Sequence, residues 1–522
     1  MKSKFIFTLL ILFPIIQLKI NNLNSEDDEL FYSTTWATSL YQIEPTPLTL
    51  SNNSLRQIIR VSSSSQKLRL KLSNKTGKTN LEIKSINIAD SLSQGTGEIM
   101  ENTLTPIKFG GEESIIIPPG VEIYSDIFSY NLKSLSEVSI SIFFGQVPSE
   151  YTGHEASMTN SFIEEGNKIN NVNFSTKNKI SHYYFISLIE ILSSKQNPTI
   201  VCFGDSITDG VGSTMDQHSR YPDLLATKIK LNLGTSDISV INEGKTATRF
   251  TTQGIERFRH DVLEIKGIKD IILLYGVNDI NWLNSEFTEI IEAYKSIIKL
   301  SHENNIFIYG CTILPYGRNN IWTEEREKVR KEVNNWIRNT KSDEGGFDAF
   351  FDFDEFIKDP NDDTIIKNEY DSGDGIHPNS QGYLRMVQSI DNLTLFTKET
   401  KVNKYLNIIG QIGVKFKLDI NLEKNTNVSI TLKGKCEDSK GFRVAFYNDQ
   451  NKKTSDYYYS GKIEKGNFEF NINLKISDIS SYIYIRRPIS TINIDFLALN
   501  YLEISSNDFK QIFNVIKEFE FL

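Results

Sequence analysis

Between about residues 31 and 147, apolar and polar positions alternate in short runs: LRQIIRV, KLRLKLSN, NLEIKSINIA, ESIIIPPG and VSISIFFG. Such a period of two, punctuated by Ser, Asn, Gly and Pro, predicts short strands with one face buried, as in an antiparallel β-sandwich. No helical period is visible there. The pattern changes between about 198 and 398. PTIVCF, ISVINEG, DIILLYG, IFIYGCTIL and FDAFFDF are continuous apolar runs. Between them lie segments of helical period: RYPDLLATKIKLNL, EFTEIIEAYKSIIKLSHEN and TEEREKVRKEVNNWIRNT. Apolar strands alternating with amphipathic helices predict a parallel sheet covered on both faces. From about 402 to 508 strict alternation returns, as in VSITLKG, FRVAFYND, NFEFNINLKI and NIDFLALNYLEI. A second β-sandwich is predicted there. The last segment, 509–522, reads as a short helix, and 148–197 as a segment connecting the first two units. There is no internal repeat, low-complexity tail or heptad run.

The N-terminus departs from these patterns. Lys2 and Lys4 precede FIFTLLILFPII, and the chain then turns polar at NNLNSEDDE. A basic start with a short apolar run reads as a secretory signal peptide over about residues 1–25. The run is short for a ~30 Å hydrocarbon core. The expectation is a secreted protein with no transmembrane segment once the signal is removed. Composition changes this picture little. A net charge of −9 disfavours nucleic acid and anionic membrane as partners, since both attract basic surfaces. Three cysteines, Cys202, Cys311 and Cys436, read as free thiols, with one bridge as the alternative in a secreted chain. No CxxC and no spaced His/Cys cluster suggests a structural metal. Neither a metal nor a cofactor is expected. Five N-x-[ST] sequons, at Asn52, Asn74, Asn173, Asn392 and Asn427, are what an Asn-rich chain yields by chance.

The chemistry gathers behind the parallel strands. Gly204-Asp205-Ser206 follows the first, Asn242-Glu243-Gly244 the second and Gly276-Val277-Asn278-Asp279 the third. After the fifth comes DGIHPNSQGY, with Asp374 and His377. In open α/β sheets the site lies outside the carboxyl ends of the strands, so all four groups meet at one edge. A serine hydroxyl becomes a competent nucleophile when an imidazole takes its proton. A carboxylate then fixes the imidazole tautomer and stabilises the imidazolium. The D-x-x-H spacing lets Asp374 reach His377 within one loop. Backbone N–H groups of Ser206 and Gly244, with the Asn278 side-chain amide, are candidate oxyanion donors. The alternative for Ser206 is a helix N-cap.

In order, GDSITDG, NEG, GVND and DGIHP resemble the four sequence blocks of the SGNH, or GDSL-type, esterase and lipase superfamily. The resemblance assigns Ser206, Gly244, Asn278 and His377 to its four named positions. It implies a flavodoxin-like three-layer α/β/α catalytic domain that hydrolyses esters without a metal. A longer resemblance covers most of 31–396 and is to a secreted subfamily that includes xylanase-cluster acetyl esterases. It runs through SLRQIIRVSSSSQKLRLKLSN, TGHEASMTNSFIEEGN, HYYFISLIEI, RYPDLLA and RFRHDVL. It implies a carbohydrate acetylesterase acting on an acylated polysaccharide or other small ester. One departure is NEGKTATR, where relatives carry further glycines; Ala247 and Thr248 stand at small or amide positions.

Other residues read more plainly. Asp205 and Asp279 are loop-holding carboxylates, Glu243 a solvated loop carboxylate, and His154 a structural or domain-interface residue. His182, His218, His260 and His302 read as surface or packing residues. Tyr457, Tyr458 and Tyr459 alternate faces on a strand, so at least one is core and the others are candidates for sugar stacking. A lipase or phospholipase of the same superfamily and a non-catalytic glycan-binding protein are the alternative readings.

Overall fold

The computed structural model describes residues 30–390 apart from Gly234, and beyond them the backbone of strands lying between 406 and 521. The apolar runs of the middle segment form five parallel strands: Thr199–Gly204, Ser239–Gly244, Ile268–Leu274, Phe307–Cys311 and Ala349–Phe351. Numbered along the chain, their order in the sheet is 2-1-3-4-5. This is the flavodoxin-like winding, whose direction reverses between the first and third strands; in such sheets ligands bind outside the carboxyl edge at that point. Strand alternation sends neighbouring side chains to opposite faces. Phe203 accordingly packs edge-on against Phe258 at 5.5 Å and Tyr275 at 5.4 Å. Cys202 lies on the other face, against Tyr221, whose ring meets Phe353 at 5.6 Å. Helix Phe287–Glu303 buries Ile290, Ile291, Tyr294, Ile297 and Ile298. Their i, i+1, i+4, i+7, i+8 spacing makes one helical stripe. Cys202 and Cys311 are buried and unbridged, while Cys436 has no described side chain.

The N-terminal part consists of antiparallel sheets. Five strands pair in the order Phe31–Ala37, Ile186–Ser193, Ser65–Ser73 and Glu122–Tyr124, with Phe128–Leu132 also on Ser65–Ser73. A seven-stranded sheet is built around Asn53–Arg60, Glu137–Phe144 and Leu81–Asp90. Leu68, Leu70 and Leu72 of the first sheet share one apolar core with Leu55, Ile59, Ile83, Ile140 and Ile142 of the second. A third, small sheet joins Tyr183–Tyr184, Tyr151–His154 and Tyr41–Ile43.

Residues 148–197, read from sequence as a connecting segment, supply strands to all three sheets, and Ile186–Ser193 lies between two strands from the N-terminal part. Its run FISLIEILS is apolar on both faces because both faces are covered, so it lacks the alternation that marked its neighbours. In the C-terminal part, Leu406–Ile408, Ile492–Tyr501, Asn427–Cys436 and Gly466–Lys475 form one antiparallel sheet. Tyr458–Tyr459, Arg443–Tyr447, Ser480–Arg486, Val414–Leu422 and Phe519–Phe521 form another. Phe519–Phe521, within the segment read as a helix, is thus a strand pairing with Val414–Phe416. Its sequence, FEF, has the strand period. The signal-peptide segment, Asn392 and Tyr457 lie outside the described residues. Among the described residues no helix is long and apolar enough to cross a membrane.

Candidate active site

The first parallel strand ends at Gly204, and the chain turns at once into a short helix, Ser206–Asp209. The turn requires glycine. A Cβ at Gly204 would lie 2.0 Å from Thr208 Oγ1 and 2.5 Å from Leu274 O. Asp205 caps the helix by accepting from the Ile207 N–H at 3.0 Å. Ser206 is therefore the first residue of the helix, with its own N–H unpartnered among the described residues.

His377 lies beyond the fifth strand, on the loop between the hairpin Lys358–Asp359/Asp362–Ile366 and the helix Ser380–Ser389. That loop is held from several directions. Asn379 caps helix Ser380–Ser389 by accepting from the N–H groups of Gln381 and Gly382. Asn319 Nδ2 donates to Asp374 O at 2.9 Å, and Asp371 accepts from the N–H groups of Gly373 and Gly375. The outcome is a continuous chain of bonds. Ser206 Oγ lies 2.8 Å from His377 Nε2, and His377 Nδ1 lies 2.6 Å from Asp374 Oδ2. Asp374 Oδ1 accepts from the N–H groups of Ile376 at 3.0 Å and His377 at 2.8 Å. Burial works to raise the Asp374 carboxyl, but the bonds from His377 and Ile376 outweigh it and hold it well below the usual carboxylate range. The carboxylate is charged, and Nδ1 is the nitrogen that carries hydrogen. Nε2 is left to accept from the serine.

One candidate oxyanion donor, the Gly244 N–H, is already engaged. Gly244 is the last residue of the second strand, and its N–H donates to Asn242 Oδ1 at 2.8 Å. A Cβ at Gly244 would lie 2.1 Å from Asp209 N. Glycine is needed there so that the Ser206–Asp209 helix can pack on the strand, and its N–H is already committed. Three residues on, Ala247 takes the left-handed conformation with φ 61°. Its N–H has no partner among the described residues. The next carbonyl, Thr248 O, accepts from Asn278 Nδ2 at 3.0 Å. The Thr248–Arg249 peptide, next to the one that follows Ala247, thus lies against the Asn278 amide, which keeps a second N–H. The structure joins Ser206, His377 and Asp374 by hydrogen bonds and sets Asn278 beside the turn of Ala247, whose N–H, unlike that of Gly244, has no partner among the described residues. The one hint of this in the sequence is the break in the glycine pattern at Ala247.

The carboxylates around the site divide by environment. Asp279 accepts from Phe250 N at 2.8 Å, Thr251 N at 2.8 Å and Thr251 Oγ1 at 2.7 Å, so it holds the loop after Thr248. Burial pushes Asp205 up to about 7, opposed by the Ile207 N–H. Glu243 is not a solvated loop residue. It remains in the second strand opposite Phe203, is 2% exposed, and its Oε2 has no partner. Burial raises its carboxyl well above the usual range. Arg257 lies beneath all of this. Its guanidinium stacks on Phe203 at 4.2 Å and donates to Gly204 O and Glu243 O at 2.7 Å each and to Tyr275 Oη at 2.8 Å. One buried cation thus ties together the carboxyl ends of the first three strands. Among the described residues no group of three metal-ligating side chains is present.

Residues 202–385 match the model of the GDSL-like Lipase/Acylhydrolase family. That match supports a carboxylic ester hydrolase. No curated protein matches the chain. Among solved structures the chain is similar to a GDSL-like lipase from Bacteroides thetaiotaomicron VPI-5482, at 18% identity over 38% of this chain and 88% of that one, TM-score 0.30. It is similar to an acetyl xylan esterase at 20% identity over 37% and 96%, TM-score 0.30. It is also similar to a family two carbohydrate esterase from Clostridium thermocellum, solved with cellohexaose, at 10% identity over 70% and 97%, TM-score 0.30.

Proposed function

We propose that this chain is a secreted serine esterase that removes acyl groups, above all acetyl groups, from polysaccharide. The observation that carries the reading is the bonded series Ser206–His377–Asp374 at the carboxyl edge of the sheet. Ser206 Oγ attacks the ester carbonyl carbon as its proton passes to His377 Nε2. The carbonyl electrons move to oxygen, which is met by the N–H groups of Ser206 and Ala247 and the free Asn278 amide N–H. As the tetrahedral species collapses, the C–O bond to the sugar breaks and His377 returns the proton to the departing oxygen. Water then repeats the path on the acyl-enzyme and releases the acid. Asp374 keeps Nδ1 as the protonated nitrogen and stabilises the imidazolium formed in each half.

The acetyl and polysaccharide assignment rests on the resemblance of residues 31–396 to xylanase-cluster esterases. One surface feature agrees with it. Trp282, four residues beyond Asn278, is 60% exposed, and an indole face suits the C–H face of a pyranose. The N-terminal sheets are read as a β-sandwich packed on a catalytic unit over about 198–398, and the C-terminal sheets as a second sandwich.

The test is acetate release from acetylated xylan, with p-nitrophenyl acetate and octanoate in parallel, for the wild type and Ser206→Ala. Acetate release that disappears in Ser206→Ala, with octanoate poor throughout, is the expected result. Strong octanoate turnover would replace the reading with a lipase. Wild-type inactivity on every ester would overturn it.

A further inference from the structure

The turn that presents Ala247 is fastened from outside the parallel-sheet unit. Asp209 is the last residue of the helix that begins with Ser206, and it is 1% exposed. Its Oδ2 accepts from Thr246 N at 3.0 Å and Thr246 Oγ1 at 2.7 Å. Its Oδ1 lies 2.9 Å from Nε2 of His154, which ends a strand of the small N-terminal sheet. His154 is 2% exposed, and its Nδ1 lies 2.8 Å from Ser39 O. A carbonyl only accepts, so Nδ1–H donates to Ser39. This fixes the ring plane and directs Nε2 at Asp209. The same sheet holds the turn at a second point. The Tyr41 ring lies edge-on to His154 and carries Lys245 Nζ over its face at 4.1 Å. Lys245 O in turn accepts from Thr248 Oγ1 at 2.6 Å.

We infer that His154 is a positioning residue of the esterase: through Asp209 and Thr246 it fixes the 245–248 turn, and so holds the Ala247 N–H where the oxyanion forms. The inference rests on the serine-esterase reading above. It makes the N-terminal sheets part of the active site, since the bond from His154 is the only link from Asp209 Oδ1 to a side chain among those described. A left-handed alanine does not hold itself in place. For an L-residue with a Cβ that conformation costs about 1–2 kcal/mol, so the turn depends on the contacts that hold it. A turn released by even a fraction of an ångström loses a preorganised donor, and such a donor contributes about 10²–10³ in turnover.

The test uses the full chain and the hydrolysis of p-nitrophenyl acetate, with kcat and KM separated and melting temperature recorded. His154→Gln places an amide N–H near the site of Nε2, whereas His154→Asn places one near Nδ1 and leaves Asp209 without its partner. We expect kcat to fall about 10–100-fold in His154→Asn, KM to stay within about twofold, and His154→Gln to recover most of the loss, in keeping with outer hydrogen-bond partners of a reacting group. Thr246→Val, at the half-exposed end of the relay, is expected to lower kcat about threefold to tenfold without lowering the melting temperature. Equal kcat in His154→Gln and His154→Asn, or a Thr246→Val enzyme with wild-type kcat, overturns the inference while the Ser206→Ala control still confirms an esterase. A wild type that turns over no ester overturns the esterase reading and the inference with it.

Discussion

Replacing Asp374 with asparagine separates the orientation of His377 from the rest of the site. The amide oxygen of the new side chain would still accept from the N–H groups of Ile376 and His377, which Asp374 holds at 3.0 and 2.8 Å. The loop is therefore expected to keep its shape. The other arm changes from acceptor to donor and faces Nδ1, now 2.6 Å from a carboxylate oxygen. Two donors cannot bond, so the ring places its hydrogen on Nε2 and presents a donor to Ser206 Oγ. The serine loses its base. In serine proteases with the same triad the equivalent change costs about 10⁴ in turnover. Here the Asp374 side chain is 46% exposed, so water stabilises part of the imidazolium charge and the carboxylate contributes less than a buried one. The expected loss in kcat is about 10²–10³, roughly 3–4 kcal/mol at the transition state. Initial rates on p-nitrophenyl acetate at pH 8, with a melting curve to confirm folding, measure it. A folded Asp374→Asn enzyme retaining more than a tenth of wild-type kcat would refute the tautomer argument.

Three further outcomes follow from the same geometry. Ala247→Gly relieves the left-handed backbone and is expected to keep kcat within about threefold, while Ala247→Val, β-branched at φ 61°, is expected to lower it at least about tenfold; equal rates would deny Ala247 its role. Hydrogen bonds donated by the charged His260 ring to the Asp261 and Glu122 carboxylates raise it from the ordinary 6.5 to about 9, so its stabilisation is complete below about pH 6.5 and drains away as pH rises through 9. The full shift would be worth about 3 kcal/mol, and a side chain one quarter exposed keeps about 1–2 kcal/mol of it; urea midpoints at pH 6, 7.5 and 9 should fall in the wild type and flatten in His260→Gln. Trp282→Ala should cost acetylated xylan about fivefold more in kcat/KM than p-nitrophenyl acetate, the worth of about 1 kcal/mol of stacking; equal losses would remove Trp282 from sugar recognition.

The parts legible in the sequence were those written in local periods. Five continuous apolar runs separated by helical stripes are the parallel sheet, because burial on both faces erases alternation. The D-x-x-H spacing held the Asp374–His377 pair because both residues lie in one loop. What stayed hidden was set by neighbours distant in the chain. Ile186–Ser193 has the texture of a parallel core strand and is an antiparallel one, since only its partners, Phe31–Ala37 and Ser65–Ser73, decide the direction. Glu243 resembles a loop carboxylate beside Gly244 until the register places it opposite Phe203. Gly244 reads from sequence as an oxyanion donor, and nothing local shows that Asp209 N comes within 2.1 Å of where its Cβ would be. Nothing in the alanine code signals a positive φ at Ala247.

His154 shows why the N-terminal part was hardest to weigh. Its neighbours in sequence say only that it sits near a turn, while its function depends on a carboxylate 55 residues away. The same holds along the whole seam with the parallel-sheet unit. Ser39 Oγ donates to Asp261 Oδ2 at 2.7 Å, Ser62 Oγ accepts from Val240 N at 3.1 Å, and Ser63 Oγ meets Ser239 Oγ at 2.8 Å. Arg60 reaches Asp223 O and Thr227 Oγ1, and His218 pairs with Glu137. These are buried and part-buried polar groups from both sides, each the other's partner. Removing one partner while the other stays buried would cost about 1–3 kcal/mol. The seam is apolar as well, since Ala37 and Leu188 belong to the same buried cluster as the strands of the parallel sheet. The seam runs directly to Asp209, the residue that closes the serine helix. The same bonds that fasten the two parts together therefore fix the reacting edge of the sheet, and the boundary near residue 198 divides the chain without dividing the site.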